Sequence, residues 1–382
     1  MPRVLPVTTD KSFWRKSVEY AYRVHYADFM DAQGLTWNLA YQDVYWGKGR
    51  PSKAETVLLI HGRCANMGYF SQLTAALAAQ GMRVIAVDLP NYGKSLPKNL
   101  DLPVERSLQS TREVVHQLMQ YLRVQQFHLY GHSLGGQWAI GYALQYPDHV
   151  AGLILESPYG LEEYPTEVFT ATETPLKLFD PSLAASLPAW AEVWAPLGHL
   201  DAEMFRPEAD IRARHYFKKL NTETGELEDS PIGLFLALNQ DSAFFTQSLV
   251  QSATGNLEEY NRYITTCVRD IYAMGVETRL EDPASLTKRL SLLRMPILML
   301  FGARDPFLPN TPLTGHRDLV NELIRPAYIR LTAAGAQPLV ITYANAAHVP
   351  HIDQPDRLAK DVIRFVQEGQ VISEPVNPML LQ

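Results

Sequence analysis

The five residues Gly131-His132-Ser133-Leu134-Gly135 place a serine between two glycines, each two positions away. A serine in that setting can stand on a turn too tight for side chains at the flanking positions, with its hydroxyl projecting into the open. The pattern alone is common by chance. Here the β-rich run "FHLY" precedes it and the helix-patterned "LGGQWAIGYAL" follows, the strand–turn–helix setting in which it marks a nucleophile.

A serine hydroxyl is a poor nucleophile. It needs a base, and the base needs an acid to orient it. On this type of elbow the partners follow in the order acid, then histidine. Asp305 in "LFGARDPFLP" and His348 in "ITYANAAHVPHIDQP" satisfy that order, each at the end of an apolar run. Glu156 in "LILESP" also ends such a run and is the alternative acid. His351 lies beyond Pro350 and is expected to face the following helix, as a bystander or as a hydrogen-bond partner behind the site. His348 and His351 have no carboxylate or cysteine cluster at ligand spacing, so no metal site is expected.

Acyl chemistry also requires donors for the developing oxyanion. The backbone N–H of Leu134, next to the nucleophile, is one candidate. The backbone N–H of Arg63, in the loop His61-Gly62-Arg63-Cys64, is the other. His61 reads as a structural hydrogen bonder and Cys64 as a small buried residue. The Arg63 side chain reads as solvent-facing or paired with a carboxylate. The sharper alternative is bidentate recognition of a substrate carboxylate.

The elements that must hold these residues are legible. Residues 56–62, 83–90, 127–133, 152–158, 296–305 and 339–348 read as buried strands, and 69–81 and 105–124 as amphipathic helices. Strands alternating with helices imply a mostly parallel sheet covered on both faces. Residues 35–47 alternate and read as an antiparallel edge hairpin. The strand rhythm stops near residue 158 and resumes near 291. The stretch between is aromatic and helix-patterned, an inserted helical cap. The expected organisation is an N-terminal extension over 1–34, a first core segment over 35–157, the cap over 158–290, a second core segment over 291–370, and a loose tail over 371–382.

The bulk numbers set limits. The chain has 382 residues, 46% hydrophobic and 20% charged, with a net charge of −7. That is a globular balance, with no basic footprint for nucleic acid. Two cysteines, Cys64 and Cys267, cannot make a disulfide framework and fit a reducing compartment. No window is apolar enough for a membrane span, and no signal-like segment opens the chain. A soluble cytoplasmic protein is expected.

With the elbow, the Ser–Asp–His order and the "HG" loop in view, the chain resembles the α/β-hydrolase superfamily. The resemblance covers about residues 35–157 and 291–368. "DLPNYGKSLP" is similar to the family's D-x-x-G-x-G-x-S segment, with Asn91-Tyr92 replacing the first glycine, and "ALQYPDHVAGLIL" to its A-x-x-x-P-x-x-V-x-x-L-x-L run. "LAYQDV", "HGRCANMGYF" and "ESPYGLEEY" are similar to a bacterial subgroup of capped hydrolases. The resemblance implies an eight-stranded-type sheet and a cofactor-free serine esterase acting on a small or medium hydrophobic ester, thioester or lactone. Family members that cleave epoxides or carbon–halogen bonds carry aspartate at the elbow, so Ser133 argues against them. C–C bond hydrolysis, acyl transfer, perhydrolysis and non-catalytic ligand binding remain open on the same residues. The sequence does not fix the oligomeric state.

Overall fold

The computed structural model describes residues 12–63, 65–98, 107–165, 272–305, 307–310, 314–333 and 335–381, with the short pieces 167–169, 175–177, 218–220, 227–229, 266 and 269–270. A short helix, α1 (Phe13–Ser17), precedes the sheet strands β1 (His25–Met30), β2 (Thr36–Tyr45), β3 (Thr56–Ile60), β4 (Arg83–Val87) and β5 (Leu96–Pro97). Helix α2 (Ser71–Ala79) joins β3 to β4. Helix α3 (Leu108–Tyr121) leads to β6 (Phe127–His132), and α4 (Leu134–Gln145) leads to β7 (Val150–Glu156).

Four short strands follow in two separate antiparallel ladders. β8 (Glu167–Phe169) pairs with β9 (Pro175–Lys177), and β10 (Lys218–Leu220) pairs with β11 (Leu227–Asp229). The main sheet then regains β12 (Ile297–Gly302) and, after α5 (Arg325–Thr332), β13 (Leu339–Tyr343). Helices α6 (Pro350–Asp353) and α7 (Pro355–Glu368) close the chain's last turn onto the sheet.

The sheet order is β1-β2-β4-β3-β6-β7-β12-β13, with β5 paired to β2. All neighbours from β4 through β13 are parallel, and β1, β2 and β5 supply the antiparallel edge. Every residue of β3, β4, β6 and β12 is buried, as expected for parallel strands covered on both faces. The chain runs from β3 outward to β4 and returns on the other side of β3 as β6. The strand order therefore reverses at the carboxyl ends of β3 and β6, the place where open parallel sheets build sites.

Two expectations need correction. The stretch 35–47 holds one long strand, β2, rather than a hairpin, and its outer antiparallel partner is β1, inside the stretch read as an extension. β1 pairs the backbone edge of β2, and Phe29 of β1 is buried in the shared core.

The segment after 370 is not loose. Asp361 of α7 accepts hydrogen bonds from the Ile372 and Ser373 N–H groups at 2.8 and 2.7 Å and from Ser373 Oγ at 2.6 Å. The Val376 N–H donates to the Val340 carbonyl of β13 at 2.8 Å, and Leu381 is fully buried. A buried carboxylate demands donors, and the tail supplies them.

The helical cap expected over 158–290 falls mostly outside the described residues. The described parts are residues 158–165, the two small ladders, residues 266 and 269–270, the helical residues 272–277, and the turns that follow. Residues 272–277 are pinned to the core. The Arg112 guanidinium of α3 donates to both carboxylate oxygens of Glu277, at 2.7 and 2.9 Å, and to the carbonyls of Trp138 and Gln137. Among the described residues, no helix is long and apolar enough to cross a membrane.

Candidate active site

Ser133 sits between β6 and α4 with φ 56° and ψ −119°, a left-handed conformation costly for a residue with a side chain. The two glycines of the motif make the turn physically possible. A Cβ at position 131 would lie 2.1 Å from the Gly135 carbonyl oxygen, and one at 135 would lie 2.3 Å from that of Ile60. The Ser133 N–H donates to the Glu156 carbonyl at 2.9 Å, fixing the elbow to the end of β7.

His348 follows β13 by five residues, and Asp305 follows β12 by three. The loops carry them to the serine. His348 Nε2 is 2.9 Å from Ser133 Oγ, and His348 Nδ1 is 2.7 Å from Asp305 Oδ2. The other carboxylate oxygen of Asp305 accepts the N–H groups of Phe307 and Leu308, at 2.8 and 3.1 Å. One oxygen thus anchors the loop while the second faces the imidazole. The Asp305 side chain is fully buried. The rings of Phe307 and Tyr159 stand edge-on to His348 at 5.1 and 6.3 Å.

Glu156, the alternative acid, is directed elsewhere. Its carboxylate accepts the His351 N–H at 2.6 Å and faces His351 Nδ1 at 2.8 Å, while Tyr130 Oη donates to it at 2.7 Å. Burial would raise this carboxyl, but the adjacent His351 and the hydrogen bonds from His351 and Tyr130 outweigh it and hold the group down at about 2. Two acid–histidine pairs therefore lie under one sheet edge, and only Asp305–His348 reaches the serine.

The loop after β3 approaches the elbow closely. A Cβ on Gly62 would lie 2.9 Å from His132 Nδ1 and 3.0 Å from the Ser133 Cβ, so only glycine fits. Arg63 follows directly, and its charge opposes the upward push of burial on the Tyr159 hydroxyl. Leu134 is the first residue of α4, and the first N–H groups of a helix have no partner within it. His61 Nδ1 faces the Gly62 carbonyl at 2.7 Å, and its Nε2 accepts the Leu89 N–H at 3.0 Å, a structural arrangement. Cys64 and Cys267 lie outside the described residues.

Three neighbours were not singled out by sequence reasoning. Tyr69 and His132 hydrogen-bond to each other behind the serine at 2.9 Å. Burial, with the nearby His348 and His351 acting in the same direction, lowers His132 to about 3, so it is neutral. Glu162 accepts the Asn310 N–H from the loop that follows Asp305. Burial, helped by the charge of Asp305, pushes its carboxyl up to about 7. His132 stands inside the glycine–serine motif, and Tyr69 and Glu162 lie in "HGRCANMGYF" and "ESPYGLEEY", where only the resemblance to capped hydrolases marks them. Among the described residues, no group of three or more histidines, cysteines or acids could hold a metal ion.

A family profile described as the alpha/beta hydrolase fold matches residues 55–325, well over half the sequence. The chain belongs to the α/β-hydrolase family. The human monoacylglycerol lipase ABHD6 (Homo sapiens) is similar at 30% identity over 153 residues, 39% of this chain and 41% of that protein. The match thus spans about two fifths of that relative's length. The 1-acylglycerol-3-phosphate O-acyltransferase ABHD5 of Rattus norvegicus is 23% identical over 321 residues, 81% of this chain and 77% of that one. In fold, this hydrolase is similar to a probable hydrolytic enzyme from Pseudomonas aeruginosa, with a TM-score of 0.62 and 24% identity over 91% of this chain and 95% of that one. It is also similar to a thermophilic esterase from Thermogutta terrifontis, with a TM-score of 0.56 and 18% identity over 91% of this chain and 100% of that one.

Proposed function

We propose that this hydrolase cleaves a carboxylic ester with a hydrophobic acyl group, through a covalent acyl-enzyme on Ser133. The observation that carries the reading is the continuous line from Ser133 Oγ to His348 Nε2 at 2.9 Å and from His348 Nδ1 to Asp305 Oδ2 at 2.7 Å. The names of its relatives, a monoacylglycerol lipase and an esterase, agree with it.

His348 Nε2 takes the proton of Ser133 as the serine oxygen attacks the carbonyl carbon. The Asp305 carboxylate accepts from Nδ1–H, fixes the tautomer, and balances the charge of the imidazolium. The backbone N–H groups of Arg63 and Leu134 donate to the oxyanion. His348 then passes its proton to the leaving alkoxide. A water molecule, deprotonated by His348, attacks the acyl-enzyme, and His348 returns that proton to Ser133 Oγ as the carboxylic acid is released.

The test is labelling by a fluorophosphonate probe, followed by a panel of esters and monoacylglycerols with varied acyl length. The parent should be labelled at Ser133 alone and should turn over apolar esters, and Ser133→Ala should do neither. Equal labelling of a folded Ser133→Ala protein would remove the assignment. One observation favours a second reading. A relative that matches across most of the chain is named an acyltransferase. Acyl transfer uses the same steps with an alcohol in place of water, so product analysis with an added acceptor alcohol separates the two.

A further inference from the structure

The interior of the site holds a line of hydrogen bonds that the proposed reaction does not use. The Gly62 N–H donates to Tyr69 Oη at 2.8 Å, Tyr69 Oη lies 2.9 Å from His132 Nδ1, and His132 Nε2 lies 2.7 Å from the carbonyl oxygen of His348. Tyr69 and His132 are both buried. The direction of the line is fixed by what each atom can do. A carbonyl oxygen only accepts, so Nε2 of His132 carries the proton. Its Nδ1 then presents a lone pair and accepts from the Tyr69 hydroxyl. The tyrosine oxygen, having spent its proton, accepts the Gly62 N–H. Burial keeps His132 neutral, which that tautomer requires.

Each end of the line is next to a reacting group. Gly62 precedes Arg63, whose N–H is assigned to the oxyanion. His132 precedes the nucleophile. His348 is the base itself. Three loops from three different strands therefore share one set of side-chain contacts. The fit is tight, since nothing larger than glycine can occupy position 62 against His132.

We propose that His132 and Tyr69 are positioning residues that hold the His348 loop and the Gly62–Arg63 loop in register with Ser133. The proposal rests on the Ser133–His348–Asp305 reading for its effect on rate, but not for its effect on loop order. Neither residue touches the reacting atoms. They act by keeping the serine, the base and the oxyanion donor within the narrow separations that acyl transfer needs, where errors near 1 Å cost about a hundredfold in rate.

The experiment compares the parent with His132→Leu, His132→Gln and Tyr69→Phe. Leucine fills the space but cannot donate to the His348 carbonyl, whereas the glutamine amide can. On an ester substrate, His132→Leu should lower kcat by about ten- to a hundredfold with little change in KM. His132→Gln should recover much of that loss. Tyr69→Phe should fall between the parent and the leucine variant. Amide hydrogen exchange, read by mass spectrometry on the same proteins, should speed up in His132→Leu in peptides covering 61–67 and 344–353. The core strands should stay protected. Exchange requires no turnover, so it tests the positioning role even if the esterase reading fails. An inactive, unlabelled parent overturns the reading alone. Unchanged exchange in both peptides, or a glutamine variant no better than leucine at equal thermal stability, overturns the positioning role.

Discussion

Glu156 Oε1 lies 2.6 Å from the backbone nitrogen of His351, and the backbone carbonyl of the same glutamate accepts the Ser133 N–H. One residue thus holds the elbow by its main chain and the start of α6 by its side chain. The structure separates it from His348, which faces Asp305 instead. Asp305→Asn should lower kcat by about a thousandfold or more with the fold intact, because the imidazole loses its orienting acceptor. Glu156→Gln should act mainly on stability, since it removes the buried carboxylate that His351 and Tyr130 are hydrogen-bonded to. Kinetics and thermal melts on both variants check this. A crippled but fully stable Glu156→Gln, beside an active Asp305→Asn, would reverse the assignment of the acid.

His348 and His351 should part in the same way. His348→Ala should be nearly as damaging to kcat as Ser133→Ala, because members of such a set act as a unit. His351→Ala leaves Glu156 as a buried carboxylate without its principal partner, so it should lower the melting temperature. Steady-state kinetics and melts on both alanine variants give the comparison. A His348→Ala protein that keeps parent turnover would show the wrong histidine had been chosen.

Buried carboxyls set the response to pH. Glu162 is raised to about 7 and Asp88 to about 6, in each case by burial above all. A carboxyl raised in the folded state favours the fold below its unfolded value, and that contribution is lost as pH rises through the folded value. Glu156, held at about 2, acts oppositely, and its contribution is lost as pH falls from the ordinary carboxyl range toward 2. Glu162 and Asp88 should therefore pull thermal stability down from pH 5 to pH 8. His132 pulls the opposite way, because its lowered value makes stability rise with pH up to the ordinary histidine range. Glu162→Gln keeps an oxygen to accept the Asn310 N–H but carries no charge, so it should remove its share of the downward pull. Melts across this range decide it, and a Glu162→Gln profile parallel to the parent's would show that Glu162 does not titrate there.

Much of this was legible in the sequence because the relevant signals are local. Buried parallel strands read as apolar runs, and all six read that way lie in the sheet. The glycine spacing around Ser133 reports a steric constraint, and steric constraints are visible residue by residue. β1 was missed because "HYADFM" has one face only partly buried, so its pattern is weak, and its role appears only when β2 is seen to need a partner. The tail was misread because its polar composition looks solvent-bound, while its anchor, Asp361, lies eleven and twelve residues upstream of the donors. The pairing of Glu156 with His351 rather than with His348 depends on which way two neighbouring loops turn, and 195 residues separate the partners.

Arg112 tests how the last part of the inserted stretch is held. Its guanidinium is almost fully buried and serves Glu277, Trp138 and Gln137 together. Arg112→Met keeps much of the packing but leaves the Glu277 carboxylate with the Gln137 amide at 3.2 Å in place of a guanidinium, and takes the side-chain donor from two carbonyls of α4. It should destabilise the protein by about 3 kcal/mol, the low end for a broken buried pair because Glu277 is partly exposed. Limited proteolysis should then cut near 272–277. A variant with parent stability and parent cleavage pattern would show that this pair does not dock the segment.

The last prediction concerns the tail. Asp361 is completely buried and accepts from Ile372 N, Ser373 N and Ser373 Oγ, while Tyr343 Oη donates to its second oxygen at 2.8 Å. Removing residues 371–382 strips three of those four donors and uncovers the core surface under Leu381. Hydrogen bonds to a charged group contribute about 1.5–3 kcal/mol each, so the truncation should cost several kcal/mol. The double change, truncation with Asp361→Leu, removes the stranded charge and should recover part of the loss, because replacing both partners is cheaper than orphaning one. Denaturant midpoints on the three proteins measure both steps. A loose tail would leave the midpoint of the truncated protein at the parent value, and the rescue would have nothing to restore.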